Sequence, residues 1–318
     1  MDVRFRLPAP VFALVLASLA FTASLTATAA TFCVSTLSGG SINSCDSAPI
    51  SSYSSGGHPP GTFTPYGGSG GDYWSIEDLA RAGPGSLVVR TYGITYFIQP
   101  IFIPLDFGSV ASAGASFAID DLMITGPGTS LSGTMHLQLD GAIGANAGIF
   151  GTSSGYTSSQ ASISFSGSMT GVGFNESFAG SAAVSANSVD GILPWTTSGL
   201  LTDYRGGPIA IDVPLTNAPV GTPISMSLNL FSLASARIAN SGVPNYRAWS
   251  EGISSFEGGL SFVGGGHSVF TLPDGFTVDS VGAGIIDNIH VVPLPAAAWL
   301  LGAALLGLFG HSLRGEPH

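Results

Sequence analysis

The side chains able to do chemistry are few and far apart along this chain. Asp120 and Asp121 are the carboxylate pair that a hydrolytic reading must consider first. Neighbours on a strand point to opposite faces, so the two are poorly placed to flank one glycosidic bond. One of them could join Asp106 or Asp140 around calcium, a cation that takes several oxygen ligands. The simpler expectation is a turn-side aspartate bonded to backbone. Two stretches match G-x-S-x-G, Gly67-Gly68-Ser69-Gly70-Gly71 and Gly151-Thr152-Ser153-Ser154-Gly155. A nucleophile elbow needs a strand before its serine and a helix after it, and neither stretch has them. His58, His136, His267 and His290 are scattered, and His136 falls on the polar face of a predicted strand, where water would solvate it. No H-E-x-x-H, phosphate-binding loop or EF-hand loop occurs. The residues therefore predict a protein without catalytic activity. A glycoside hydrolase built from carboxylates distant in sequence is the weaker alternative.

Binding chemistry is better represented. Tyr73, Trp74, Trp195, Tyr204, Tyr246 and Trp249 lie in or near predicted loops. Aromatic faces in loops stack on sugar rings, and Trp195 and Trp249 are the candidates for that role; the competing expectation is that they anchor loops to the core. Cys33 and Cys45 are the only cysteines. With no CxxC pattern and no histidine at ligand spacing, they are expected to form a disulfide in an oxidising compartment. Closing so short a loop stabilises by about 2–3 kcal/mol in the chain-entropy model.

Composition narrows the partners. The chain has 318 residues, no lysine and a formal net charge of −11, and charged residues make up 8% of it. Nucleic-acid binding needs a basic footprint to neutralise phosphates, and none exists here. Attraction to an anionic membrane surface fails for the same reason. The 45 glycines and many serines suggest long loops, while the 45% hydrophobic content and repeated alternation indicate a folded sheet protein.

The elements that would position these residues are mostly strands. Met135, Leu137 and Leu139 alternate with polar residues, as do Ile163 and Phe165, and Ile224, Met226, Leu228 and Leu230. Such alternation marks strands with one buried and one wet face. Residues 86–97 and 117–125 are also expected as strands, and 259–263, 269–272 and 276–278 as shorter ones. Residues 75–84 give the best helix signal: Ser75 as cap, Glu77 and Asp78 in the first turn, Gly83-Pro84 as stop. Residues 36–71 are expected to be irregular. Many short strands and almost no helix predict an all-β sandwich, jelly-roll or immunoglobulin-like, with long Gly/Ser loops. A β-solenoid is less favoured because no fixed-period repeat is present.

Both ends carry targeting patterns. Arg4 and Arg6 precede an uncharged apolar core over 11–21, and Ala27-Thr28-Ala29-Ala30 offers small residues for cleavage, so 1–30 reads as a signal peptide. Residues 31–288 are then an extracytoplasmic domain. From Val291 to Gly310 no residue is charged, and as a helix this stretch would span roughly 30 Å, the thickness of a bilayer core.

That stretch opens Val292-Pro293-Leu294-Pro295-Ala296-Ala297-Ala298-Trp299-Leu300-Leu301-Gly302. The string resembles the C-terminal sorting signal of the PEP-CTERM family in its VPLPA variant. The resemblance covers 289–318 and implies a protein exported by a Gram-negative bacterium, held transiently in the inner membrane, then processed by an exosortase-type protease for the cell surface or extracellular matrix. Val292, Pro293, Leu294, Pro295, Ala296 and Trp299 are its matching motif residues. The tail departs from the family, which carries an arginine cluster; here Arg314 stands alone beside Glu316. Residues 269–288 also resemble the closing strands that precede the anchor in many members. The expected function is structural or adhesive, with a polysaccharide-binding module, in some form calcium-dependent, as the alternative.

Overall fold

The computed structural model describes residues 30–37, 42–58, 72–99, 104–150, 155–202, 204–241, 246–263 and 267–291. The expected signal peptide, the string from Val292 onward and the serines of both G-x-S-x-G stretches lie outside the described residues. All regular structure among the described residues is strand. The larger antiparallel sheet has the spatial order β10 (Gly191–Ile192), β9 (Phe174–Asn187), β8 (Gly155–Gly171), β13 (Pro223–Ser241), β6 (Pro104–Thr125), β1 (Thr31–Thr36), β2 (Ile42–Asp46). Short β11 (Thr196–Gly199) also pairs with β9, and β16 (Thr277–Asp279) with β6. The second sheet runs β12 (Ile209–Pro219), β7 (Ser130–Phe150), β14 (Tyr246–Phe262), β5 (Ser86–Gln99), β4 (Asp72–Gly83), β3 (Ile50–His58), with β15 (Phe270–Thr271) on β7. A small ribbon of β17 (Ile285–Ile286) and β18 (Ile289–His290) closes the described chain. Cys33 and Cys45 are joined by a disulfide across the β1–β2 pair, at the edge of the larger sheet.

The two sheets form a sandwich-like pair because alternate residues of each face the other. Phe117, Phe165, Leu228 and Leu230 from one sheet meet Leu87, Val89, Leu137, Leu139 and Phe262 from the other, all nearly without solvent exposure. This alternation is the pattern expected of half-buried strands. Phe117 and Phe262 meet edge-on across the interface, with ring centres 6.2 Å apart.

The core changes character along the strands. Towards the end where β5 leads into β6 and β13 into β14, its residues become small and hydroxylated: Thr91, Thr95, Ser109, Ser232, Ser250 and Ser254 are all buried. Their hydroxyls bridge the sheets. Ser232 donates to Thr91 (3.0 Å), Thr95 and Ser109 share a bond of 3.2 Å, Ser254 donates to the Ser162 carbonyl (3.1 Å), and Ser159 returns a bond to the Asn146 carbonyl (2.9 Å). Ser250 likewise reaches the Ser158 carbonyl. Gly252 shows how near the backbones come: a Cβ there would lie 2.5 Å from the Gln160 oxygen and 2.8 Å from the Ser235 oxygen, both on the opposite sheet. Sheets usually stack about 10 Å apart; here they close to near backbone contact.

Two expectations need correction. Residues 75–84 are not a helix but most of β4, hydrogen-bonded to β3 and β5 along its length. Ile76, Asp78, Ala80 and Ala82 face inward, while Ser75, Glu77, Leu79 and Arg81 face outward. The Gly-Pro pair read as a helix stop is a hairpin instead, with Gly85 in the left-handed region at φ 61°. Residues 36–71 are not uniformly irregular either, since they contribute β2 and β3. Tertiary pairing with neighbouring strands overrode the local signal in both cases.

Replacing Gly252 with valine should raise local strand propensity and yet destabilise the fold by about 3 kcal/mol, through overpacking against the facing backbone. Urea unfolding followed by far-UV circular dichroism tests this. An unchanged or higher midpoint would mean the sheets are not in close contact at Gly252.

Candidate functional site

The described chain is fastened up to the residue before the VPLPA string. Asn288, with φ 64°, accepts from the Phe270 amide at 2.8 Å and donates to the Phe270 carbonyl at 2.7 Å through its side chain. Its backbone carbonyl accepts from Val269, and the Val291 amide donates to Gly284 at 2.7 Å. His290 is buried, edge-on to Phe262 at 5.6 Å, and its Nε2–H donates to the Pro84 carbonyl at 3.2 Å. Burial pushes the His290 pKa below the ordinary histidine value, against the opposing pull of that carbonyl.

The two tryptophans singled out for stacking sit in different environments. Trp195 is partly buried against the core, with the Arg205 guanidinium 5.8 Å from its ring centre. That makes it an anchor rather than an open stacking surface. Trp249 is not in a loop; it lies on β14, on the outward face of the second sheet. Its register partners are Tyr96 on β5 and Gly148 on β7. A Cβ at Gly148 would lie 2.5 Å from the indole Nε1, so the indole lies across the glycine. Gly144, further along β7, has open space above it. Trp249 and Tyr96 therefore stand in neighbouring register positions on the outer sheet face, the indole folded over Gly148. In the same face, Arg90 is held between Glu77 (3.1 Å) and Glu257 (2.9 Å).

Tyr204 also anchors the fold. It is 2% exposed, its hydroxyl donates to the Gly141 carbonyl at 2.7 Å, and burial, then the Asp140 charge, push its pKa up to about 12. Of the other aromatics considered, the side chains of Tyr73, Trp74 and Tyr246 lie outside the described residues.

Asp120 and Asp121 do not share a site. Asp120 is exposed, whereas Asp121 accepts from Ser280 (2.7 Å) and from the Gly282 amide (2.9 Å), the backbone-bonded turn role. Among the described residues, no group of three or more His, Cys, Asp or Glu is arranged to hold a metal ion. Nor is any helix there long and apolar enough to cross a membrane.

One constellation was invisible in the sequence. His136 on β7 donates through Nδ1 to Asp212 on β12 at 2.7 Å, and its Nε2 accepts from Thr271 on β15 at 2.7 Å. The order carboxylate, imidazole, hydroxyl is that of a general-base relay. Asp212 is 69% exposed, however, so water screens the pair, and the trio bridges three strands on an open surface. It fastens short β15 and edge strand β12 to β7, and His136 is hydrogen-bonded on both nitrogens rather than simply solvated.

Burial holds the His290 pKa below its ordinary value in the fold, whereas in the unfolded chain it takes a proton near pH 6.5. Its contribution to stability is complete above that pH and declines as the pH falls below it. Melting temperatures measured at pH 7.5 and 5.5 should drop on acidification, and His290→Gln should show a smaller drop. An equal drop in both proteins would remove His290 as a source. No family model, curated protein or solved structure matches this chain.

Proposed function

We propose that this chain is an exported, non-enzymatic surface or extracellular-matrix protein with a structural or adhesive role. It is delivered through its C-terminal signal and processed there by an exosortase-type membrane protease. The observation that carries this reading is the string Val292-Pro293-Leu294-Pro295-Ala296 ahead of an uncharged apolar stretch. Trp299, in the uncharged apolar stretch, and Arg314, as the basic stop, complete the signal. Two further features favour it. The Cys33–Cys45 disulfide suits an oxidising compartment, and Val291, the residue before the string, is still hydrogen-bonded to Gly284 of the folded domain. Within the sandwich class, the reading is jelly-roll or immunoglobulin-like.

A second reading has its own support. Trp249, laid across Gly148 beside Tyr96, offers a stacking platform for extracellular polysaccharide. A glycoside hydrolase is the least supported of the three, since Asp120 and Asp121 play different roles and the neighbouring pair Glu77 and Glu257 is tied up by Arg90.

Pro295→Ala and deletion of 292–318 should both abolish C-terminal processing while the sandwich stays folded. Intact-mass analysis of envelope and medium fractions from the native host checks this, and normal maturation of both variants would refute the delivery reading. For the second reading, Trp249→Ala should weaken binding to extracted matrix polysaccharide at least tenfold with little change in melting temperature. Trp195→Ala should instead lower the melting temperature. Equal polysaccharide binding by wild type and Trp249→Ala would rule the platform out.

A further inference from the structure

The larger sheet carries a second, chemically different surface. Neighbouring strands β11, β9, β8, β13, β6 and β1 place Ser198, Ser181, Ser164, Phe231, Gly114 and Ser35 in one cross-strand row. The adjacent row holds Ser166 and Asn229. On the outer face, these rows border a groove of about 350 Å³ lined by Phe231, Asn229, Ser164, Ser166, Ser181 and Ser198, with small residues between them. That volume lies at the low end of small-molecule sites, roughly 300–1,000 Å³. Phe231 is 42% exposed although it sits on a central strand, flanked by a serine on one side and a glycine on the other. An aromatic with no core role at the middle of a serine-rich sheet face is a stacking surface waiting for a ring. Ser181 and Ser198 share a hydrogen bond of 2.8 Å, which fixes the wall facing it.

The lining defines its ligand by what it lacks. None of the residues around the groove is ionisable. An anion would find no cation there, and a cation no carboxylate. A purely apolar ligand would strip water from the hydroxyls and the Asn229 amide without replacing their hydrogen bonds. What remains is a neutral ring with one apolar face and a hydroxylated rim. Its face would stack on Phe231, and its rim would exchange hydrogen bonds with Asn229 and the serines, groups that both donate and accept.

We propose that this groove binds one or two neutral pyranose rings of a glycan, independently of the Trp249 face on the other sheet. The site is shallow, so a single disaccharide is expected to bind weakly. Avidity along a polymer carrying many such residues would raise the affinity.

Saturation-transfer NMR and calorimetric titration of the full chain in detergent provide the test. The probes are a panel of neutral gluco-, galacto- and manno-disaccharides, with digalacturonate as the anionic comparator. At least one neutral disaccharide should bind and digalacturonate should not. Phe231→Ala and Asn229→Ala should each weaken that binding tenfold or more with an unchanged melting temperature, and Trp249→Ala should leave it intact. Three results would overturn the proposal: no binding across the neutral panel, binding unaltered in both groove variants, or binding lost only in Trp249→Ala. The last would transfer the glycan to the other sheet and leave the polysaccharide reading standing without the groove.

Discussion

The close contact of the two sheets at their serine-rich end is the constraint on which the rest of the structure depends. Ser254 and Ser250 donate to carbonyls of the facing sheet, and Ser159 returns a bond in the opposite direction. Such bonds form only where side chains between the backbones are absent or very small, and Gly252 sets that limit. A buried hydroxyl without a partner costs about 1–3 kcal/mol. Each serine at this end is therefore tied to the spacing that lets it reach a carbonyl. Larger residues would hold the sheets apart and leave the remaining hydroxyls unbonded. The polar end of the core is thus cooperative in a way that the Phe117–Phe262 end, held by non-directional apolar burial, is not.

This constraint accounts for the odd composition. Close sheets need glycine, alanine and serine on inward positions, and the outer faces carry many of the same residues, so side chains contribute little charge on either side. Some of the charge on the sheet faces is paired, as where Arg90 lies between Glu77 and Glu257, while Asp120 on β6 is exposed. Charged side chains are therefore sparse on the outer faces, and most of the polar surface there is hydroxyl and amide. The Trp249–Tyr96 pair and the Phe231 groove set aromatic rings into that surface, on opposite sheets.

The alternating strands were legible because they alternate large apolar residues with polar ones, as Met135, Leu137 and Leu139 do in β7. The other half of β7 was not legible, since Gly141, Ala142, Gly144 and Ala145 fit either face. In β4 the inward set includes Asp78, whose Oδ2 accepts from the Leu37 amide at 3.1 Å. A buried carboxylate in the inward series broke the apolar period and left a pattern that a helix also satisfies. Pro214 masked β12 in the same way, although Ile209, Ile211, Val213 and Leu215 alternate around it. The candidate sites were hidden for a different reason. Gly148 and Trp249, or His136, Asp212 and Thr271, meet only after strands distant in sequence pair, and no local window contains them.

The end of the chain joins these threads. Ile285 to Val291 is held by backbone bonds, by the Asn288 amide and by His290 wedged against Phe262 and the β4–β5 turn. That turn closes the hairpin of the second sheet, so the last described residues are fastened to the sandwich itself and not to a flexible stalk. A Cβ at Gly85 would lie 2.5 Å from Phe262 and 2.7 Å from His290, so the turn accepts the histidine only because glycine stands there. A processing enzyme acting on the string from Val292 would therefore meet a rigid body at its doorstep. Drawing the segment Ile285–Val291 out of the domain would first break the His290 and Asn288 contacts, so these residues belong to the folded body.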